Sequence, residues 1–156
     1  MKPKIFKIIE IGTHKDMKSL RKALEESGAR IGDWASNILN KTKLSKSKQS
    51  LDLVVLSVKE LGFPQGAELK YIYEAAKNLG LDLCPAEVGP QLHLQYPDQP
   101  SGEWLVIAME PIKDSDGDLR LFLVERHGGD RWLLACHGIP GYHWLAGYRF
   151  VFVRRK

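Results

Sequence analysis

The stretch "LDLVVLSVKELGF" (51–63) decides the fold, because it reads in two ways. Leu51, Val54, Val55, Val58 and Leu61 recur at helical spacing, whereas the valines, branched at Cβ, favour an extended chain. We read it as a helix, and the rest of the chain then divides into a helical front and a strand-forming back.

Upstream, Met17, Leu20, Ala23 and Leu24 form an apolar stripe after "THKD", where Thr13 or Asp16 caps the first turn and Gly28 closes the last. Asp33 caps a second helix with Trp34, Ala35, Ile38 and Leu39 inward, and the two make a helical hairpin. "NKTKLSKSKQS" (40–50), rich in lysine and serine with one large apolar residue, is expected to be a solvated loop. Downstream, "AELKYIYEAAKNLGL" (67–81) gives an amphipathic helix with Leu69, Ile72, Tyr73, Ala76 and Leu79 inward and Gly80 as its stop.

From Leu83 the period changes to two. "LHLQY" (92–96) alternates Leu92, Leu94 and Tyr96 with His93 and Gln95, and "EWLVIAM" (103–109) suits a central strand covered on both faces. "LRLFLVER" (119–126) and "RWLLAC" (131–136) flank "HGGD" as a hairpin, and "YRFVFVRR" (148–155) is a last strand. The expected fold class is α+β: about four N-terminal helices packed on one face of a C-terminal antiparallel sheet of about five strands. Residues 1–156 form a single domain on this reading, with 1–80 mainly helical and 83–156 mainly strand.

A chain of 156 residues with 44% hydrophobic and 27% charged side chains builds a core without disulfide or metal staples. "MKPKIFKIIEIG" is too short in its apolar run and too charged for a signal peptide, and nothing approaches the roughly 20 apolar residues of a membrane span. A cytoplasmic location and no membrane partner are expected. Cys84 and Cys136 do not make a disulfide framework and are read as reduced. Charge is uneven: residues 1–50 carry 12 basic and five acidic side chains, 51–100 carry three and seven, and 101–156 carry eight and seven.

Chemistry is concentrated in "LLACHGIPGYHW" (133–144), which sets Cys136, His137 and His143 close in sequence. A hydrolase would draw on Glu125, His127, Cys136 and His143, with a carboxylate or thiol beside an imidazole near the C-terminal strand ends. Adjacent side chains on a strand point to opposite faces, so His137 is a poor partner for Cys136, and a structural thiol at a strand end is the favoured reading. No zinc spacing is present, and no cofactor or metal is expected. "DSDGDLRLFLVE" (114–125) has acids at positions 1, 3, 5 and 12 of a calcium loop. Leu119 stands where that loop needs glycine, so it reads as an acidic turn. Nucleotide-binding glycine motifs, G-x-S-x-G and H-E-x-x-H are absent from the sequence. Gln91, His93 and Gln95 beside Tyr96 line either a ligand groove or the wet face of an edge strand.

Polyanion binding is the leading expectation: a non-enzymatic accessory domain that holds nucleic acid without reading bases. Its contacts would be Lys41, Lys43, Lys46, Lys48, Arg149, Arg154, Arg155 and Lys156. "LGFPQGAE" has the outline of a helix-turn-helix, but the second helix mixes Glu68 and Glu74 with Lys70 and Lys77, which repels phosphate about as much as it attracts it. The alternatives are the small hydrolase and a protein-interaction module that uses an exposed edge strand or an aromatic surface such as Trp144 and Tyr148.

"GAELKYIYEAAKNLGLDLCPAEVGPQLHLQY", "EWLVIAMEPIKDSDGD" and "RFVFVRRK" resemble a group of small uncharacterised bacterial proteins sharing the LCPAEVGP, IAMEPI and FVFVRR stretches. No activity is attached to that group, so the resemblance assigns no site residue.

Overall fold

A computed structural model describes residues 3–156. Strands and helices alternate in the first half of the chain, and strands dominate the second. The first half runs β1 (Lys7–Ile11), α1 (Met17–Glu26), β2 (Arg30–Ile31), α2 (Asp33–Leu39), β3 (Gln49–Ser57), β4 (Ala67–Glu68) and α3 (Leu69–Asn78). The second runs β5 (Leu81–Asp82), α4 (Val88–Gln95), β6 (Trp104–Ile107), β7 (Ile112–Lys113), β8 (Leu119–His127), β9 (Asp130–His137), β10 (His143–Trp144) and β11 (Arg149–Arg154). One nine-stranded sheet is ordered β1-β3-β11-β6-β8-β9-β2, with β5 added to β11 and β7 to β8, while β10 and β4 form a separate two-stranded ribbon.

This overturns the expected helical front over a five-stranded antiparallel back. β1 and β3, from the first 57 residues, pair beside the C-terminal β11, and β2 closes the opposite edge against β9. The sheet is mixed, because β11–β6 and β9–β2 run parallel. Chain order and spatial order are therefore unrelated at both edges.

Two misreadings explain the difference. The stretch at 51–63 is mostly strand, and consecutive residues Leu53 and Val54 are both buried because β3 lies between β1 and β11 with both faces covered. A strand covered on both faces loses its alternation, and its apolar run then fits a helical stripe by accident. The strand stops at Ser57, whose Oγ accepts the Glu60 N–H at 3.0 Å while Glu60 accepts the Ser57 N–H at 2.9 Å. That reciprocal S-x-x-E pair makes a turn out of "SVKE" rather than the middle of a helix.

The converse error falls on "LHLQY", whose first four residues belong to helix α4. Val88, Gly89, Pro90, Gln91, Leu92 and His93 are all buried, because α4 lies against β1, β8 and β9. A helix covered nearly all round has no amphipathic stripe to read. Pro90 sits in its first turn, where a missing N–H costs nothing. Gly89 lies flat on Phe122: a Cβ there would come within 2.6 Å of the ring, so only glycine lets helix and sheet approach this closely.

Elsewhere the local signals operate as expected. Asp16 caps α1 through the Ser19 N–H at 2.9 Å, and Gly80 ends the α3 turn with φ of 82°. Ala35, Ile38 and Leu39 face inward from α2, but Trp34 stays at the surface beneath the Arg120 guanidinium, 5.1 Å from its ring centroid. Leu79 is likewise exposed. Phe122, Phe150 and Phe152 are sealed in the core, each contributing roughly 2–3 kcal/mol by burial. Among the described residues no helix is long and apolar enough to cross a membrane.

Candidate functional site

Just ahead of α4, Glu87 is fully buried and organises the lysine loop. Its Oε1 accepts the Ser45 N–H at 2.8 Å, and its Oε2 accepts the Gly12 N–H at 2.8 Å and a Gln91 side-chain N–H at 3.0 Å. Gln91 also donates to Thr13 Oγ1 at 2.7 Å, and Gln95 donates to Gln91 Oε1 at 2.9 Å and to the Glu10 carbonyl at 2.8 Å. The polar row expected to line a groove or an edge strand is thus split by the helix: Gln91 and Gln95 share one side and hold β1 and Glu87, while His93 faces the other way. His93 is buried too, with Nε2 3.2 Å from the Arg131 carbonyl oxygen. Burial lowers its pKa, the Arg131 carbonyl opposes that shift, and the charge on Arg131 adds to it.

Residues 41–48 have no regular structure and their side chains are mostly exposed, but the segment is pinned at several points. Thr42 is buried with Oγ1 donating to Ile38 O at 3.0 Å, Lys41 Nζ donates to Lys113 O at 2.7 Å, and Gln49 Nε2 donates to Ser45 Oγ at 3.1 Å. Gly12, at φ of 74°, presses on the loop so closely that a Cβ would fall 2.1 Å from the Ser47 carbonyl oxygen.

The β3–β11 register carries this loop to the end of the chain. Val153 lies opposite Leu53, so the residues after β11 run out beside Ser50, and Lys156 Nζ donates to the Ser50 carbonyl at 3.0 Å. Lys46 and Lys48 precede Gln49 at this same end of the sheet, with Lys48 held to Glu10 on β1, the neighbour of β3 on the side away from β11. A depression of about 400 Å³ lined by Gln49, Ser50, Leu51, Asp82 and Val153–Lys156 lies there. Two acids temper it: Glu10 is 3.4 Å from Lys48 and Asp82 is 2.7 Å from Arg155.

The remaining three basic candidates lie apart from this cluster. Lys41 and Lys43 line a groove with Cys84–Ala86 and Glu110–Ile112. Arg149 is at the far end of β11, about 17 Å from Arg154 at roughly 3.3 Å per residue, and pairs with Glu103 at 3.3 Å.

The hydrolase candidates are dispersed. Cys136 lies opposite Leu121 and Glu125 opposite Trp132, so about 13 Å of hairpin separates thiol from carboxylate, and His127 at the tip is farther still. His143 lies on the other sheet, opposite Glu68. Burial pushes the Cys136 thiol up to about 12, against a smaller opposing pull from Arg120, so it is a neutral thiol near pH 7. His137 stacks on Tyr142, with centroids 4.7 Å apart. Among the described residues no three His, Cys, Asp or Glu side chains are grouped to hold a metal ion.

Trp144 is not a surface residue. It is buried edge-on against Tyr142, Tyr148 and Phe150 at 5.0–5.2 Å. Trp104 and Tyr142 are the exposed aromatics nearby, and Trp104 shares a groove of about 530 Å³ with Tyr148, Leu145 and Arg149. No signal in the sequence separates these two tryptophans, since a leucine follows each.

The acidic turn is built around Asp114, also buried. Its Oδ1 accepts the Asp116 and Asp118 N–H groups at 2.9 Å, and Oδ2 accepts the Arg120 Nε–H at 2.9 Å. Burial raises its pKa, but Arg120 and the two N–H groups more than offset that, and the net value lies below the ordinary carboxylate range. No protein-family model, curated protein or solved structure matches this chain.

Proposed function

We propose that the protein is a non-enzymatic binder of polyanions, working through Lys46, Lys48, Arg154, Arg155 and Lys156. The observation that supports this reading is the β3–β11 register, which gathers two basic segments about 100 residues apart in sequence around Ser50. Their placement is costly to maintain without a use: a buried carboxylate, a left-handed glycine and the buried Gln91 side chain hold the loop. No side chain here is arranged to read a base edge, so the binding is electrostatic and indifferent to sequence.

Counterion release makes the test direct. With three to five phosphates neutralised, log K for a single-stranded chain falls with log salt at a slope of about −2 to −3.5. Fluorescence anisotropy should show that slope, and Lys46→Glu with Lys156→Glu should lower affinity at least tenfold. Lys18→Glu with Lys22→Glu on α1 changes net charge equally and should lower it far less. Equal losses in the two variants, or binding insensitive to salt, would sink the proposal.

A further inference from the structure

Strand register sets one row of side chains across four neighbouring strands. Trp104 on β6 lies opposite Glu125 on β8, Glu125 lies opposite Trp132 on β9, and Trp132 lies opposite Arg30 on β2. Directly paired residues share a face, so the four stand side by side, with paired Cα atoms about 4.5–5.5 Å apart. Trp104 and Trp132 therefore flank Glu125, on Cα atoms about 10 Å from each other. None of the three is sealed: Trp104 is 46% exposed, and Glu125 and Trp132 are half-buried. The next row inward, Val106 and Leu123, is buried, so the open surface begins at the tryptophans.

Charge along this row is unbalanced. Arg30 is matched to Asp130 at 3.1 Å, and Arg149, beside Trp104, is matched to Glu103 at 3.3 Å. Arg126 and Arg131 alternate to the other face, where they donate to the carbonyls of Pro97, Gln99 and His93. Glu125 stands in no ion pair among the described residues. A carboxylate between two indoles suits a planar cation, which the charge attracts and the rings accept on their negative faces. Guanidinium fits this better than ammonium, being flat and weakly hydrated. The molecule already uses that chemistry at the end of the row, where Arg30 lies over Trp132, 5.7 Å from the ring centroid. Arg30 comes from β2, across β9 from Glu125, and Asp130 holds it there.

Beyond Trp104 the open surface turns apolar. Leu145, 63% exposed, shares the groove of about 530 Å³ with Trp104 and Tyr148. We infer that this face docks a partner protein through an arginine, its guanidinium seated on Glu125 between Trp104 and Trp132 and an apolar neighbour packed on Leu145 and Tyr148. Charge complementarity at Glu125 selects the arginine, and the groove selects a polypeptide over a free cation. Trp104 lies by Arg149, at the end of β11 opposite Arg154, so this partner and a polyanion do not compete.

The probes are short peptides titrated against the full chain, with the indole N–H signals followed by two-dimensional NMR. Acetyl-Leu-Arg-Leu-amide should shift the Trp104 and Trp132 signals saturably. It should bind at least tenfold tighter than the same peptide with citrulline, a neutral near-isostere, and several-fold tighter than the lysine or the glycine-flanked arginine peptide. Glu125→Gln should weaken the arginine peptide about tenfold and leave the citrulline peptide unchanged. Since Glu125 holds no ion pair in the fold, that variant should keep the parent Tm. Trp132→Leu should weaken the arginine peptide several-fold, and Glu26→Gln, an equal charge change on α1, should have no effect. Silence of both indoles up to about 10 mM peptide would overturn the inference. So would equal binding of arginine and citrulline peptides, equal binding of leucine- and glycine-flanked ones, or undiminished affinity in Glu125→Gln, whatever polyanions do.

Discussion

Glu87 and Asp114 are both buried carboxylates that hold a loop, and they are compensated by different means. Asp114 has a cation at 2.9 Å and two N–H groups from its own turn, so every partner lies within six residues. Glu87 has no cation among its partners; it is held by Gly12, Ser45 and Gln91, and the first two come from segments 75 and 42 residues away. Asp114 shapes a hairpin turn that would form from local sequence. Glu87 joins β1, α4 and the lysine loop, and can do so only once the sheet has assembled around α4. An ion buried on neutral hydrogen bonds alone stabilises its surroundings only while all of them are made. The cooperative unit at Glu87 should therefore be larger and less tolerant of change.

The isosteric pair of variants tests that contrast most strongly. Glu87→Gln keeps the shape but turns one acceptor into a donor, so the Gly12 or the Ser45 N–H faces an amide N–H. An unsatisfied buried donor with a lost charge-assisted bond should cost about 2–4 kcal/mol, lowering the urea midpoint by roughly 1–2 M. Hydrogen exchange should show the amides of Gly12 and Ser45 losing protection together, ahead of the β8–β9 hairpin. Unchanged protection at Ser45 would mean that the loop is held by something other than Glu87.

Gly12→Ala attacks the same junction from the other side. A left-handed residue with a Cβ costs about 1–2 kcal/mol, and the new atom also meets the Ser47 carbonyl oxygen. Combined with Glu87→Gln, its effect should be markedly less than additive, because the first change has already released the loop. Additive losses in urea unfolding would show that turn and carboxylate act separately.

The same contrast explains what could be read from the chain. Features whose cause is local were legible: the Asp16 cap, the Gly80 stop, the β8–β9 hairpin, and "DSDGD" as an acidic turn rather than a calcium loop. Features whose cause is burial on all sides were not. β3 is flanked by β1 and β11, and α4 lies against β1, β8 and β9, and each has lost the periodicity that marks its type at a surface. One local signal was present and unused, since Ser57 and Glu60 spell a capping pair that forbids a helix running through residue 57. The basic residues were visible as a list, but their division into five at one end and three elsewhere depends on the β3–β11 register, which no local pattern encodes. Glu87 carried no local signal, because two of its three partners are backbone N–H groups remote in sequence.

The smallest effect is expected at Asp114, and it should appear as a pH dependence. Its folded pKa lies below the ordinary value of 3.8, so the folded chain binds this proton less readily than the unfolded chain does. The stability this supplies is fully present above that ordinary value and drains away as pH falls through the lowered folded value. Asp114→Asn keeps an acceptor for one or two turn amides and loses the ion pair with Arg120. Urea midpoints measured from pH 7 to pH 2 should therefore fall less steeply below pH 4 for the variant than for the parent, the two curves converging at the acid end. Parallel curves would place the acid sensitivity elsewhere. Such an outcome would leave the turn held by its backbone bonds, and the contrast with Glu87 would then rest on range alone rather than on the presence of a cation.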